Sequence, residues 1–345
     1  MLDLAREILA GQEAWVVGGA VRDEFLARPV VDLDIAVRDP RTAGRAYANR
    51  ADAALFPLSE RHGAWRVALD GGRTVDFTPL RDGIDADLAT RDFTINAIAA
   101  PLAGGDWVDP HHGGRDLRSR LVRAVSPTVF KDDPLRLLRA VRLEDELDFR
   151  LEGSTERMIM THRILAADPA GERILGELLR LSPRGFHRLD ELGLLEQLGG
   201  SVERLDDLPS DASTPLVLVA VFGEKLARLP IPNDLRRLAR TVLTAESPPD
   251  LSPRSIHRFR RATEPFAVEA VEFIGCDPKL REAVCRARRD EPAEPLLRGD
   301  ELGLQPGPEI GRLLDLVEEE RAAGTITTRD EALELVRRES EGPVP

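Results

Sequence analysis

Between Trp15 and Val37 the chain alternates apolar runs with single polar positions, and this spacing predicts a strand, a turn, a helix and a second strand. Residues 15–17 form a short apolar run suited to a buried strand, Gly18 and Gly19 mark a turn, and residues 20–27 predict a helix. After a loop marked by Pro29, Asp32 and Asp34 alternate with Leu33, Ile35 and Val37. This is the period-two pattern of a strand with one face in the core. Residues 41–51 predict a helix, and residues 65–70 and 73–78 the arms of a hairpin turned at Asp70-Gly71-Gly72. The second arm carries Asp76 between Val75 and Phe77. Residues 91–99 read as a short amphipathic helix opened by a charged pair, with Thr94 as its cap.

From about residue 126 the strand pattern stops, and helical periodicity broken by Pro, Gly and Ser runs to the end. The fold class expected is α+β: a mixed-sheet head over 1–125, a helical neck over 126–195 and a helical body and tail over 196–345. In the neck, Pro134 suits the first turn of a helix. Leu135, Leu137, Leu138 and Val141 then face the core, while Arg136, Arg139 and Arg142 wind along the other side.

Composition narrows the function classes. A chain of 345 residues holds two or more domains with real cores, and no apolar run reaches the length of a membrane span. The first residues form an amphipathic, partly acidic helix rather than a targeting peptide. Cys276 and Cys285 have no ligand pattern around them, which points to small core residues in a reducing cytoplasm. A net charge of −13 argues against indiscriminate polyanion binding. Basic residues nevertheless cluster from Arg115 to Arg142, at Arg236, Arg237 and Arg240, and from Arg254 to Arg261. Acidic runs lie at 318–320 and 339–341.

The chemistry begins at the second strand. Asp32 and Asp34, two apart, project to one face and repel each other, and a divalent cation relieves that repulsion. In so acidic a chain a lone D-x-D is ordinary; the preceding glycine pair changes its meaning. Gly18 and Gly19 leave backbone N–H groups at a helix start free to meet phosphate. A phosphate cradle beside a carboxylate pair suggests nucleotidyl transfer.

The strings GGAVRD and DLDIAV resemble the signature of the nucleotidyltransferase superfamily that includes DNA polymerase beta. More closely they resemble class II CCA-adding enzymes and bacterial poly(A) polymerases. RDFTINAIA, WVDPHHGGRDL, FKDDPLRLLRAVR, GERILGELL and LRGDELGLQPGPEIGRLLDLV are similar to further stretches of that family, so the resemblance spans most of the chain. It implies a polymerase-beta-like head, two Mg2+ held by Asp32 and Asp34, and Asp76 completing the catalytic set. It implies nucleotide binding by Gly18, Gly19, Arg22, Arg91, Asp133, Arg136, Arg139 and Arg142. Asp133 and Arg136 match the pair that selects the incoming base. A carboxylate accepts from the exocyclic amine of cytosine or adenine while a guanidinium donates to the ring nitrogen, and both mismatch guanine and uracil. In the helix GERILGELL, Glu172 and Glu177 either brace arginines of the template helix or lie plainly on the surface, and His111 and His112 read as loop residues rather than zinc ligands.

The partners implied are a tRNA 3′ end with CTP and ATP, in the cytoplasm and away from membranes. A poly(A) polymerase shares nearly every motif, and a catalytically silent RNA- or nucleotide-binding module is the rival from another class. Two departures from the family stand out. Thr90 replaces the first of two arginines before Asp92. The segment DGIDA lies where CCA-adding enzymes carry a loop roughly a dozen or more residues longer. Members lacking that loop resemble CC-adding enzymes, so a CC-adding bias is expected.

Overall fold

The computed structural model describes residues 1–59 and 63–340; Glu341, which ends the C-terminal acidic run, lies outside them. The chain forms two compact units, Met1–Gly199 and Gly200–Pro345.

The first unit opens with α1 (Leu2–Ile8), β1 (Ala14–Val17), α2 (Gly19–Phe25), β2 (Asp32–Val37) and α3 (Pro40–Ala51). Next come β3 (Ala54–Ser59), β4 (Ala64–Ala68), β5 (Thr74–Pro79), α4 (Ile84–Ala89) and β6 (Ala99–Pro101). Six strands make one sheet in the order β3-β4-β5-β2-β1-β6. The β2–β5 pair is parallel and its neighbours are antiparallel. Leu33, Ile35, Val75 and Phe77 are buried, as their alternation requires. The predicted hairpin forms as β4 and β5 around Asp70–Gly72. β3 is an addition: it carries Pro57 and exposes Phe56 and Leu58, so it lacks an alternating pattern. Its edge position tolerates a residue that cannot donate to the ladder.

The helix expected over 91–99 does not form. A single 3-10 turn, Thr94–Asn96, leads directly into β6. Thr94 is buried rather than capping, because its hydroxyl donates to Asp116 at 2.7 Å. Asp116 belongs to α5 (Gly113–Ser119), whose first amides, on Gly113 and Gly114, donate to Asp109 at 2.6 and 2.9 Å. Those amides are therefore spent on a cap, and His112 is the loop residue before it. A Cβ on Gly113 would sit 2.0 Å from the Thr94 carbonyl oxygen, so only glycine lets α5 lie against this turn.

After β7 (Leu121–Val122) and α6 (Val129–Asp132) comes α7 (Arg136–Leu147), with Leu137, Leu138, Val141 and Leu147 in the core. β8 (Arg150–Leu151) pairs in parallel with β7, a two-residue strand beyond residue 126 where none was expected. At that length alternation leaves no pattern to read. The unit closes with α8 (Gly153–His162), α9 (Gly171–Leu178), α10 (Pro183–Glu191) and α11 (Leu194–Leu198).

The second unit is helical: α12 (Thr214–Phe222), α13 (Asn233–Leu243), α14 (Pro253–Thr263), α15 (Ala267–Phe273), α16 (Pro278–Arg289), α17 (Pro308–Ala322) and α18 (Arg329–Ser340). α12 is apolar all round and buried from Leu216 to Phe222, as a central helix should be. The arginines of α14 are spent within the unit: Arg254 pairs with Glu320 at 2.6 Å, Arg258 with Glu319 at 2.6 Å and Arg261 with Asp315 at 2.5 Å. Arg236, Arg237 and Arg240 of α13 remain exposed. Cys276 and Cys285 are free thiols and half-buried, not core residues. Among the described residues no helix is long and apolar enough to cross a membrane.

Candidate active site

The site is built on β2. Asp32 is exposed at its start and accepts a hydrogen bond from the Thr74 hydroxyl at 2.8 Å. Asp34, one pleat further in on the same face, is half-buried. Burial pushes its carboxyl up, Asp76 and Asp32 add to the push, and Arg91 and Arg139 oppose it, so that it sits at about 6 instead of 3.8. Asp34 is thus a desolvated carboxylate short of positive charge.

The parallel register sets Asp76 of β5 level with Asp34. Asp76 is already paired, however. Arg66, its cross-strand partner on β4, donates from Nε to Oδ1 and from Nη2 to Oδ2, both at 2.7 Å. The sequence reading overlooked Arg66, although its period on β4 opposite Asp76 was available once the hairpin was drawn.

Above β2 lies the glycine turn. Gly18 has φ 71° and ψ −137°, which side-chain-bearing residues avoid. A Cβ there would lie 3.1 Å from Asp34 Oδ2 and 3.2 Å from Arg91 Nη1. Arg91 does not pair with Asp92 beside it; its Nε and Nη2 hold Asp87 at 3.0 and 2.8 Å. That grip leaves Nη1 aimed at the turn. Arg22 packs against Gly19 from behind, donating to Asp23 and, through Nη1, to Asn96 Oδ1 at 2.8 Å. It braces the turn rather than facing open space.

Asn96 continues the chain of contacts, donating to Asp92 Oδ1 at 3.0 Å, while Asp92 Oδ2 lies 3.4 Å from Arg139 Nε on α7. Burial raises Asp92, but Arg139, Asn96 and the Phe93 N–H outweigh it and leave the carboxyl below its ordinary value. The sheet and α7 are thereby tied through the 94–96 turn. Arg136 donates to the Thr90 carbonyl at 2.8 Å, a backbone contact that does not depend on the side chain at that position. Asp133 is held by Arg173 of α9, at 3.2 and 2.7 Å.

Arg142 departs from the expected arginine stripe. It is buried, 2.5 Å from Glu177 and 2.9 Å from Glu146. Desolvation lowers its pKa against the pull of Glu177. Glu177 does brace this helix, while Glu172 stays exposed.

A cavity of about 680 Å³ opens within the first unit, walled by Gly18, Gly19, Asp34, Arg91, Arg136 and Arg139 among others. Asp32, Asp76, Arg22, Asp133 and Arg142 are not in its wall. Among the described residues no three His, Cys, Asp or Glu side chains form a ready-made metal cage. What β2 offers is two adjacent carboxylates, one desolvated, with glycine amides and guanidinium groups beside them. That donor set fits a hard divalent cation whose remaining positions are filled by water and phosphate oxygens.

The Poly A polymerase head domain family matches residues 14–85 and 72–123. The chain is 44% identical to a CC-adding tRNA nucleotidyltransferase of Geobacter sulfurreducens over 59% of its own length and 48% of that protein, so it spans about half of that relative. It is 31% identical to an A-adding tRNA nucleotidyltransferase of Deinococcus radiodurans over 95% of its length and 96% of that protein. A Thermotoga maritima CCA-adding enzyme complexed with tRNA shares the fold, with a TM-score of 0.74 at 24% identity across 97% of this chain and 94% of that one. With strand order, glycine turn and arginine helix in place and relatives of this kind along its whole length, the chain belongs to the tRNA nucleotidyltransferase family.

Proposed function

We propose that this enzyme adds cytidines to the 3′ end of tRNA from CTP and stops at CC. In the reaction the RNA 3′ oxygen bonds to the α-phosphorus, the bridging α–β P–O bond breaks, pyrophosphate leaves and the hydroxyl proton is lost. Gly18 and Gly19 present amides to the triphosphate, and Arg91, pinned by Asp87, adds charge from the same side. Arg136 and Arg139 face the cavity from α7, and Asp133, held by Arg173, supplies the acceptor for the base edge. Magnesium at Asp32 and Asp34 would activate the attacking hydroxyl and neutralise the departing phosphates. Arg22 and Arg142 act through the parts they brace. A tRNA substrate fits an enzyme of the cytoplasm.

The observation that carries CC over CCA is the connection between β5 and α4. It consists of residues 80–83, and its first residue, Leu80, is buried. There is no chain available here to remodel the base-selecting site from C to A. Purified enzyme given CTP and ATP on tRNA lacking its 3′ end should yield molecules ending in CC when the ends are sequenced. Efficient addition of the terminal A would overturn the proposal.

A further inference from the structure

Resting on the reading that Asp32 and Asp34 hold the cation, we infer that Arg66 is a positioning residue that keeps Asp76 out of the metal shell and holds down the metal affinity of the nucleotide-free enzyme. The register supports it from two sides. Asp76 stands level with Asp34 across the β2–β5 pair and level with Arg66 across the β4–β5 pair. One carboxylate thus lies between the acidic strand and a fixed cation.

The contact is a planar fork, with both oxygens of Asp76 engaged at 2.7 Å and the carboxylate only 7% exposed. A bidentate guanidinium–carboxylate pair of this geometry is among the strongest of charge-assisted contacts. Hydrogen bonding to Asp76 holds Arg66 above its ordinary pKa, and the negative charges of Asp32 and Asp34 add to this, so its charge is felt by all three acids. An ion approaching the free enzyme therefore meets two available carboxylates and a neighbouring positive charge. Its remaining ligands must arrive with the triphosphate. The metal loads with the nucleotide rather than before it, and Arg66 sets that order.

The test is Mn2+ binding to the full chain without nucleotide, read by the loss of the free-ion electron paramagnetic resonance signal. Wild type is expected to bind weakly, and Arg66→Leu about ten-fold or more tightly, since a cation is removed and a carboxylate released. Arg66→Lys, which keeps the charge and one donor, should stay near wild type. Circular dichroism confirms the fold of each variant, and the Mn2+-induced rise in melting temperature gives a second measure if Arg66→Leu is less stable. Equal Mn2+ affinity in wild type and Arg66→Leu, with Asp34→Asn abolishing binding in both, overturns the role of Arg66 alone. Mn2+ binding that Asp32→Asn and Asp34→Asn leave untouched overturns the underlying assignment of the cation site, and the inference with it.

Discussion

Gly18 and Asp34 are built to each other's shape: a Cβ on the glycine would stand 3.1 Å from the carboxylate oxygen. The same atom would press on Arg91 Nη1 at 3.2 Å, so one added methyl crowds two charged groups of the cavity wall at once. The backbone conformation, with φ 71°, penalises any side chain independently. Gly18→Ala is expected to lower nucleotide incorporation by about 10-fold or more, since the shift of a few tenths of an ångström that the contacts demand is smaller than the 1 Å misplacement that costs about 100-fold. It should also cost about 1–3 kcal/mol of stability. Single-turnover incorporation and urea unfolding measure the two effects, and near-wild-type rates would show that the turn is not shaped for the triphosphate.

Asp34 carries a stability cost that its function explains. In the folded metal-free protein its carboxyl titrates at about 6, against 3.8 for the ordinary group. Between those values the folded state holds a proton that the unfolded state has lost, so stability falls as pH rises from about 4 to 6 and then levels off. Asp34→Asn removes the penalty. The variant should be more stable than wild type at pH 7.5, by a margin on the order of 3 kcal/mol, and show little difference near pH 4. Thermal unfolding at the two pH values without divalent cations is the measurement. Incorporation by this variant should be lost at both, and a variant less stable at pH 7.5 would mean that Asp34 is already satisfied.

Legibility in the sequence followed the length of each pattern. β2, α3, the β4–β5 hairpin and α7 each present several turns or pleats of periodic burial, and all were readable. β3 was not, because an edge strand with Pro57 has no buried face to announce it. The turn at 94–96 read as a helix because Thr94 looks like a cap in one dimension, whereas in space its hydroxyl belongs to Asp116. Among site residues, Gly18, Asp34, Arg91, Arg136 and Arg139 line one cavity. Which charges stay available is a different matter. Arg66 on Asp76, Glu177 on Arg142 and Arg173 on Asp133 are pairings between elements far apart in sequence, and no local spacing encodes them.

Arg142 and Glu177 separate a structural arginine from a binding one. Both are largely buried; Arg142 also holds Glu146, and removing Arg142 strips Glu177 of this contact while it stays charged. Arg142→Ala should destabilise the protein by about 3–5 kcal/mol. The paired replacement Arg142→Met with Glu177→Leu should recover most of that loss, because it leaves neither member of the pair buried without the other, and Glu146 keeps Arg180. Urea unfolding of the three proteins tests this. If Arg142→Ala instead leaves stability intact and raises KM for CTP, the residue faces the nucleotide directly.

In the proposed function Asp133 is the base-selecting acceptor, and Arg173 fixes where its oxygens point. Oδ1 is filled by Arg173 Nη1 and the Leu135 N–H, both at 3.2 Å, whereas Oδ2, held by Arg173 Nη2 at 2.7 Å, keeps a lone pair to accept from an exocyclic amine. Uracil offers a carbonyl at that place, and the unmatched pair of acceptors is what rejects it. With Asp133→Ala the rejection disappears together with the attraction for cytosine, so CTP use should fall while UTP use rises relative to it. The CTP-to-UTP ratio of kcat/KM is expected to drop about 10- to 100-fold, the range that one lost polar contact supplies. Arg173→Ala leaves the carboxylate in place but loosens its direction, and a smaller drop in the same ratio should follow. A ratio that survives both substitutions would remove Asp133 from the selecting pair and leave discrimination to Arg136 and the shape of the cavity.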